Sequence, residues 1–209
     1  MSDWVHEHVA AHLETARAMP ALEDEIRRAA RLVCRTFERG GTLYTFGNGG
    51  SAADAQHFTG ELVGHFRRDR PPLPAVTLST DPTTLTCVAN DYDFADVFAR
   101  QVQALARPGD LVVAFTTSGR SPNIVTALAA ARTKGATTLL LSGGDGGPAR
   151  TYADATVLVP ATDTPRIQEM HTVVLHAISE VVDAWAAGED AQVDLPGDGV
   201  VDPSGVAAG

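Results

Sequence analysis

The chain has 209 residues, of which 44% are hydrophobic, and a formal net charge of -10. That length and apolar content suffice for one substantial core and exclude a wholly disordered chain, with one domain as the default. The acidic balance, with its positive residues scattered, leaves no basic field for a phosphate backbone and counts against nucleic acid as a partner.

The two cysteines, Cys34 and Cys87, are far apart and match neither a zinc-ligand spacing nor a disulfide framework, which points to a reducing, cytoplasmic setting. The opening "MSDWVHEHVAAHLETARAM" lacks the basic flank and unbroken apolar core of a secretory signal. No later run reaches membrane-spanning length, so a soluble protein without a membrane partner is expected.

That opening stretch reads as helical. A second helix follows in "ALEDEIRRAARLVCRTFERGG", where Leu22, Ile26, Ala29, Ala30, Val33 and Phe37 recur at helical spacing until Gly40-Gly41 stops it. Short β-rich segments then alternate with helical ones: residues 42–46, 75–79, 111–118, 137–142 and 155–161 as strands. Several are apolar on both parities, as strands covered on both faces must be. The spacing predicts helices from Ser51 to Phe66, Pro82 to Ala89, Asp93 to Ala106, Pro122 to Lys134 and Pro148 to Tyr152. A last long helix has Thr164 as its cap and Pro165 in its first turn, and ends before Gly188. Such alternation gives a parallel sheet with right-handed crossovers. Residues 1–187 are read as a single domain, and 188–209, acidic and rich in glycine and proline, as a flexible tail.

In an open parallel sheet, ligands bind beyond the carboxyl ends of the strands. Three junctions there are chemically unusual. In "GNGGSA" the glycines, among them Gly49 and Gly50, let the backbone approach a ligand, the next helix offers free N–H groups, and Ser51 is placed to cap it or bind an oxygen. Such turns also serve packing alone. The spacing is neither that of the dinucleotide fingerprint nor that of a P-loop, so a nucleotide is not the preferred ligand. In "FTTSGRSPN", Thr116, Thr117, Ser118 and Ser121 put four hydroxyls within six residues at a helix start. A plain cap needs one, so phosphate is the better reading. In "TCVANDYDF", Asn90 and Asp91 are ordinary turn chemistry by themselves.

His57 and Glu61 stand four residues apart on the helix after the glycine loop and share one face. The pair fits a surface ion pair, a catalytic pair or two ligands of one metal. In the last helix Gln168 and His176 lie within about 80° of one another around the axis, whereas His171 is about 140° from His176 and belongs to another face. His176 taken alone also fits a hydrogen-bonded core histidine among Val173, Val174, Leu175 and Ile178. His6, His8 and His12 have suggestive spacing, but no carboxylate is tied to them, and they are read as exposed helix residues.

"FGNGGSAADAQHFTGEL", "CVANDYDF", "TTSGRSPNIVTALAAARTKG" and "DTPRIQEMHTVVLHAISEVVD" together resemble the sugar isomerase (SIS) domain, specifically its sedoheptulose-7-phosphate isomerase, or phosphoheptose isomerase, subfamily. The resemblance extends from the first helix to about Ala187. It implies a flavodoxin-like α/β fold, a three-layer sandwich around a five-stranded parallel sheet with additional N-terminal helices. It also implies a homotetramer with phosphosugar sites at subunit interfaces. Phosphate would be held by Thr116, Thr117, Ser118 and Ser121, with Asn48 and Ser51 from the first loop, whose Gly49 and Gly50 would also bind substrate. Asn90, Asp91 and Gln168 would contact substrate, and Glu61 and His176 would be the base and its partner. The zinc site of some members, one ion per subunit, falls on His57, Glu61, Gln168 and His176.

The implied activity is aldose–ketose isomerisation of sedoheptulose 7-phosphate through an enediol(ate), feeding cell-envelope heptoses or a specialised metabolite. The chain departs from the family pattern at His65, where arginine is usual; Arg67 and Arg68 occupy other helical faces. SIS domains also act as phosphosugar sensors and as non-catalytic tetrameric partners, including one that acts with a replication initiator. A sensor needs the hydroxyl loop but not Glu61, Gln168 and His176, and all three are present.

Overall fold

The computed structural model describes residues 3–189. Its elements run in order: α1 Trp4–Ala18, a 3-10 turn Met19–Leu22, α2 Glu23–Glu38, β1 Leu43–Gly47, α3 Gly50–Val63, β2 Ala75–Thr77 and α4 Pro82–Asp91. They continue with a 3-10 turn Phe94–Asp96, α5 Ala99–Leu105, β3 Leu111–Phe115, α6 Pro122–Thr133, β4 Thr137–Gly143, a 3-10 turn Pro148–Tyr152, β5 Ala155–Val159 and α7 Thr164–Ala186.

All pairings are parallel, and the strand order is β2-β1-β3-β4-β5. This is the flavodoxin-like arrangement, in which the winding direction reverses between the first and third strands. Successive strand residues divide between two cores, as a pleat with period two requires. Leu43, Leu111, Val113, Phe115, Leu139, Leu141, Val157 and Val159 pack with α2, α3 and α7 on one face. Tyr44, Phe46, Val112, Ala114 and Leu140 pack with α4, α5 and α6 on the other. The expected three-layer sandwich with N-terminal helices is therefore the observed architecture. Among the described residues no helix is long and apolar enough to cross a membrane.

Several boundaries differ from the sequence reading, each for a physical reason. The helix expected to reach Phe66 ends at Val63, with Gly64 as its cap, because residues 64–70 are held by contacts to α7. His65, Arg67 and Arg68 thus lie beyond the helix, and helical faces do not apply to them. The helix expected over 93–106 is split at Val97 and Phe98, which are buried in the second core, into a capped 3-10 turn and α5. The strand expected to end at Ser118 stops at Phe115, so Thr116 to Ser121 are loop. Asp163, not Thr164, occupies the N-cap position of α7, and Thr164 begins the helix. The tail, from residue 190 on, lies outside the described residues.

Candidate active site

At the reversal point of the sheet, the loops after β1 and β3 lie side by side at the strands' carboxyl ends, where such folds bind ligands. Between them is a cavity of about 290 Å³ lined by Asn48, Gly49, Gly50, Ser51, Phe115, Thr116, Thr117, Ser118, Ser121, Thr164 and Gln168. The six residues expected to hold phosphate, and Gly49 and Gly50 with them, therefore meet in one place.

Their roles differ. Asn48 and Asn123 exchange side-chain amide hydrogen bonds, both 2.9 Å, and so tie the two loops together. The Asn48 amide is committed to that pair. Thr116 is buried, and its Oγ1 accepts from Gly119 N–H at 3.2 Å, so it shapes the turn. Gly119 has φ +62, and a Cβ there would stand 1.9 Å from the Gly146 carbonyl oxygen, which makes glycine obligatory at that position. Besides Thr116, the lining hydroxyls are those of Ser51, Thr117, Ser118, Ser121 and Thr164; Thr117 and Thr164 Oγ1 lie 3.3 Å apart, and Ser118 Oγ accepts from Arg120 N–H at 3.2 Å. The N–H groups of Gly49 and Gly50 make no hydrogen bond among the described residues and stand at the positive end of α3. Hydroxyls and an amide helix end suit an anion without a cationic side chain; Arg120, the nearest guanidinium in the loop, pairs with Asp145 at 3.0 Å.

The second half of the site lies along the seam where α3 and α7 run side by side in the same direction. Gln168 Nε2 donates to Ser51 Oγ at 3.5 Å, Thr172 Oγ1 donates to Asp54 Oδ1 at 3.3 Å, and the Nε2 atoms of His176 and His57 meet at 3.3 Å. One turn beyond, Glu61 Oε1 lies 2.9 Å from His57 Nε2. His57, Glu61 and His176 are the one group of metal-ligating side chains among the described residues whose ligand atoms all fall within 4.8 Å of one another.

His176 is half-buried and faces this cluster, while His171 is fully buried against Phe115. Burial pushes the His171 imidazole down to about 4, so it is a neutral core residue. Partial burial and the positive charge that His57 can carry hold the His176 imidazole below its ordinary value, with Glu61 opposing and Arg67 assisting. His176 thus presents a free nitrogen at neutral pH. Two Nε2 atoms and a carboxylate oxygen facing one another are natural acceptors, and neutral imidazoles cannot supply a proton to every contact. The cluster therefore fits a cation, or a proton that moves.

Gln168 is placed differently. Its carboxamide rests against Gly50 and Ser51, about 9 Å along α3 from His57 by helical rise. Asn90 and Asp91 form the exposed last two residues of α4, with Asn90 Nδ2 donating to Asp91 Oδ1 at 2.8 Å, and they do not line the cavity. His65 is exposed. Arg67 and Arg68 both pair with Glu180, at 3.2 and 2.7 Å, and so are not free to replace an arginine at 65. His12 pairs with Glu169 at 2.8 Å, and His8 Nε2 lies 2.6 Å from the buried Arg166, a cationic neighbour unsuited to a metal.

Asn123 and Asp54 escaped the sequence reading, and Thr164 was read only as the cap of the last helix. Asn123 stands inside the quoted hydroxyl run, and an asparagine directly after the helix-starting proline was the available signal. Asp54 is 8% exposed, with Oδ2 lacking a partner, and burial raises its carboxyl to about 6 against the Thr172 hydrogen bond and the His57 charge.

The SIS domain model matches residues 7–143. The phosphoheptose isomerase of Trichlorobacter lovleyi is 45% identical over 189 residues, covering 90% of this chain and 96% of that one. The solved phosphoheptose isomerase of Neisseria gonorrhoeae superposes with a TM-score of 0.79 at 39% identity, covering 86% of this chain and 99% of that one. That of Francisella tularensis gives 0.78 at 37% identity, with 86% and 94% covered. The chain belongs to the SIS domain family and, within it, to the phosphoheptose isomerases.

Proposed function

Proceeding from that membership, we propose that the protein interconverts sedoheptulose 7-phosphate and a D-glycero-D-heptose 7-phosphate, of manno or C2-epimeric configuration, as the first step toward nucleotide-activated heptose. The observation that carries the reading is the meeting of Glu61 with His57 and His176 on the same helix pair that bounds the anion cavity.

In this reading the hydroxyls of Ser51, Thr117, Ser118 and Ser121 and the amides of Gly49 and Gly50 hold the phosphate. Gln168, at the head of the seam, contacts the sugar chain. Glu61 removes the proton from C1 of the open-chain ketose as the C2 carbonyl oxygen gains one, giving the enediol. The O1 proton then leaves, C2 is protonated, and the aldose results. His176, held in the neutral form, carries the proton between the two oxygens. His57 orients the Glu61 carboxylate through their 2.9 Å contact.

Zinc, one per subunit, would be held by His57, Glu61 and His176, whose two imidazoles and one carboxylate suit it. Gln168, which rests against Gly50 and Ser51 about 9 Å along the seam from His57 by helical rise, stays with the substrate in this reading. When bound, the ion would polarise the carbonyl and order the neighbouring oxygens.

The cluster is open to solvent on one side: His57 is 40% exposed at its side chain. Trp4, Val5, Val9 and Leu13 form an exposed apolar stripe on α1, and Val173 is exposed on α7. This supports a homotetramer in which an adjoining copy covers the site, and it leaves Asn90 and Asp91 as substrate contacts given across such an interface.

Incubation with sedoheptulose 7-phosphate, with and without chelator, followed by NMR identification of the aldose tests activity, metal need and configuration together. The expected result is an aldose 7-phosphate; no aldose under any metal condition would replace the enzyme by a phosphosugar sensor.

A further inference from the structure

Residues 64–70, which follow α3, form neither helix nor strand, yet they are held from both sides. Asp183 on α7 is fully buried. Its Oδ2 accepts from the N–H groups of Arg67 at 2.6 Å and Arg68 at 2.8 Å, and its Oδ1 from Phe66 N–H at 3.3 Å and Arg70 Nε at 2.8 Å. Arg70, whose side chain is 1% exposed, donates in turn to carbonyl oxygens at the end of α3: Leu62 at 2.8 Å and Glu61 at 2.6 Å. These are the carbonyls that a helix end leaves without partners.

Two consequences follow at the cluster. The loop lays the Phe66 ring against the His176 imidazole, with centroids 5.2 Å apart and planes 24° from parallel. The guanidinium of Arg67, paired with Glu180, stands 5.0 Å over the same Phe66 ring. A buried ion pair is weak grounds for stability, since desolvation offsets its attraction, and its better-attested use is to fix one arrangement. Here the arrangement fixed is the relation of Glu61's backbone to His176's ring.

We propose that Asp183 and Phe66 are positioning residues of the reaction: the Asp183–Arg70 pair anchors the loop after α3, and Phe66, presented by that loop, holds the His176 imidazole in register with Glu61. A purely structural anchor would need the pair but not the Phe66 ring. The inference rests on the isomerase reading for its kinetic test only.

Phe66→Leu leaves the Asp183–Arg70 pair intact and removes the stacking ring. Turnover of sedoheptulose 7-phosphate is expected to show kcat lowered about tenfold with KM within about twofold, the pattern of lost positioning, and Phe66→Tyr is expected to restore kcat. The independent reading is NMR: the His176 ring-proton signals, assigned by their loss in His176→Ala, should lose a ring-current shift in Phe66→Leu and keep it in Phe66→Tyr. Asp183→Asn, if folded, should move the same signals in the same direction. Wild-type kcat together with unmoved His176 signals in Phe66→Leu would overturn the proposal. A wild-type protein inactive on this substrate would overturn the isomerase reading instead, and the NMR comparison would still decide whether the Phe66 ring stacks on His176.

Discussion

The two ends of α3 do different work by different means. Its head is a cradle made of neighbouring loops, where backbone conformation, one asparagine pair and short hydroxyl side chains place donors around a cavity. Its tail is a cluster made by side chains from helices more than a hundred residues apart, and it depends on a seam, a buried ion pair and a stacked ring to hold its register. The head needs the sheet and the first turns of α7; the tail needs the middle of α7. Damage at the head should therefore be read as lost affinity, and damage at the tail as lost turnover or lost fold.

The largest effect belongs to the tail. Glu61→Gln should lower kcat by about a thousandfold, within the range of removing a general base, while phosphate affinity and thermal unfolding stay close to wild type. Steady-state kinetics with a phosphate-competition titration measures both, and a matching loss of phosphate affinity would merge the two ends that the account separates.

Next is the anchor. Burial pushes the Asp183 carboxyl up, but the amides of Arg67 and Arg68 and the Arg70 guanidinium outweigh it and hold the group down at about 2. A carboxyl whose folded value is depressed stabilises the fold above its unfolded value and ceases to as pH falls through the folded one. Unfolding free energy should thus drop between about pH 4 and pH 2, and this component should vanish in Asp183→Asn. That variant leaves Arg70 buried and unpaired and should cost about 3 to 5 kcal/mol at neutral pH by denaturant titration.

The sequence made the head of α3 legible. The glycines, the hydroxyl run and the strand-to-helix junctions are local signals, and Ser51, Thr117, Ser118 and Ser121, which line one cavity, could be singled out because each motif is contiguous. The five strands and their parallel pairing were within reach for the same reason, since apolar strands alternating with helices leave few topologies, whereas the flavodoxin-like arrangement came only from the family resemblance. The tail was legible only as a spacing, His57 with Glu61, and as a family resemblance for His176. Nothing local says that residues 57 and 176 meet. Asp54, Phe66 and Asp183 gave no signal, because a buried carboxylate and a ring stacked on a distant histidine are properties of the packed seam and not of neighbours in the chain. The helix continued through Phe66 in the sequence reading for a related reason: the carboxylate that ends it arrives from α7.

Asp54, midway along the seam, sharpens the contrast. Its carboxyl is raised to about 6 chiefly by burial. A raised folded value means stability is complete below the unfolded value and is lost as pH rises through the folded one. Asp54→Asn should therefore raise stability on the order of 2 kcal/mol at pH 7.5 and leave it unchanged near pH 3, as paired thermal melts would record. A variant less stable than wild type at pH 7.5 would mean that the charged form is used.

The smallest effect is at the head. Ser118→Ala removes one of several neutral donors and should raise KM about tenfold with kcat within about twofold, consistent with one hydrogen bond to a charged group. A fall in kcat without change in KM would place Ser118 with the chemistry.

The most direct test of the central claim, that Glu61 moves the proton beside the bound phosphosugar, is turnover of sedoheptulose 7-phosphate in deuterium oxide followed by NMR. Wild-type protein is expected to give an aldose carrying solvent deuterium at C2, and Glu61→Gln is expected to give neither aldose nor deuterated ketose while still binding inorganic phosphate. Deuterated aldose formed by Glu61→Gln at the wild-type rate would contradict the account.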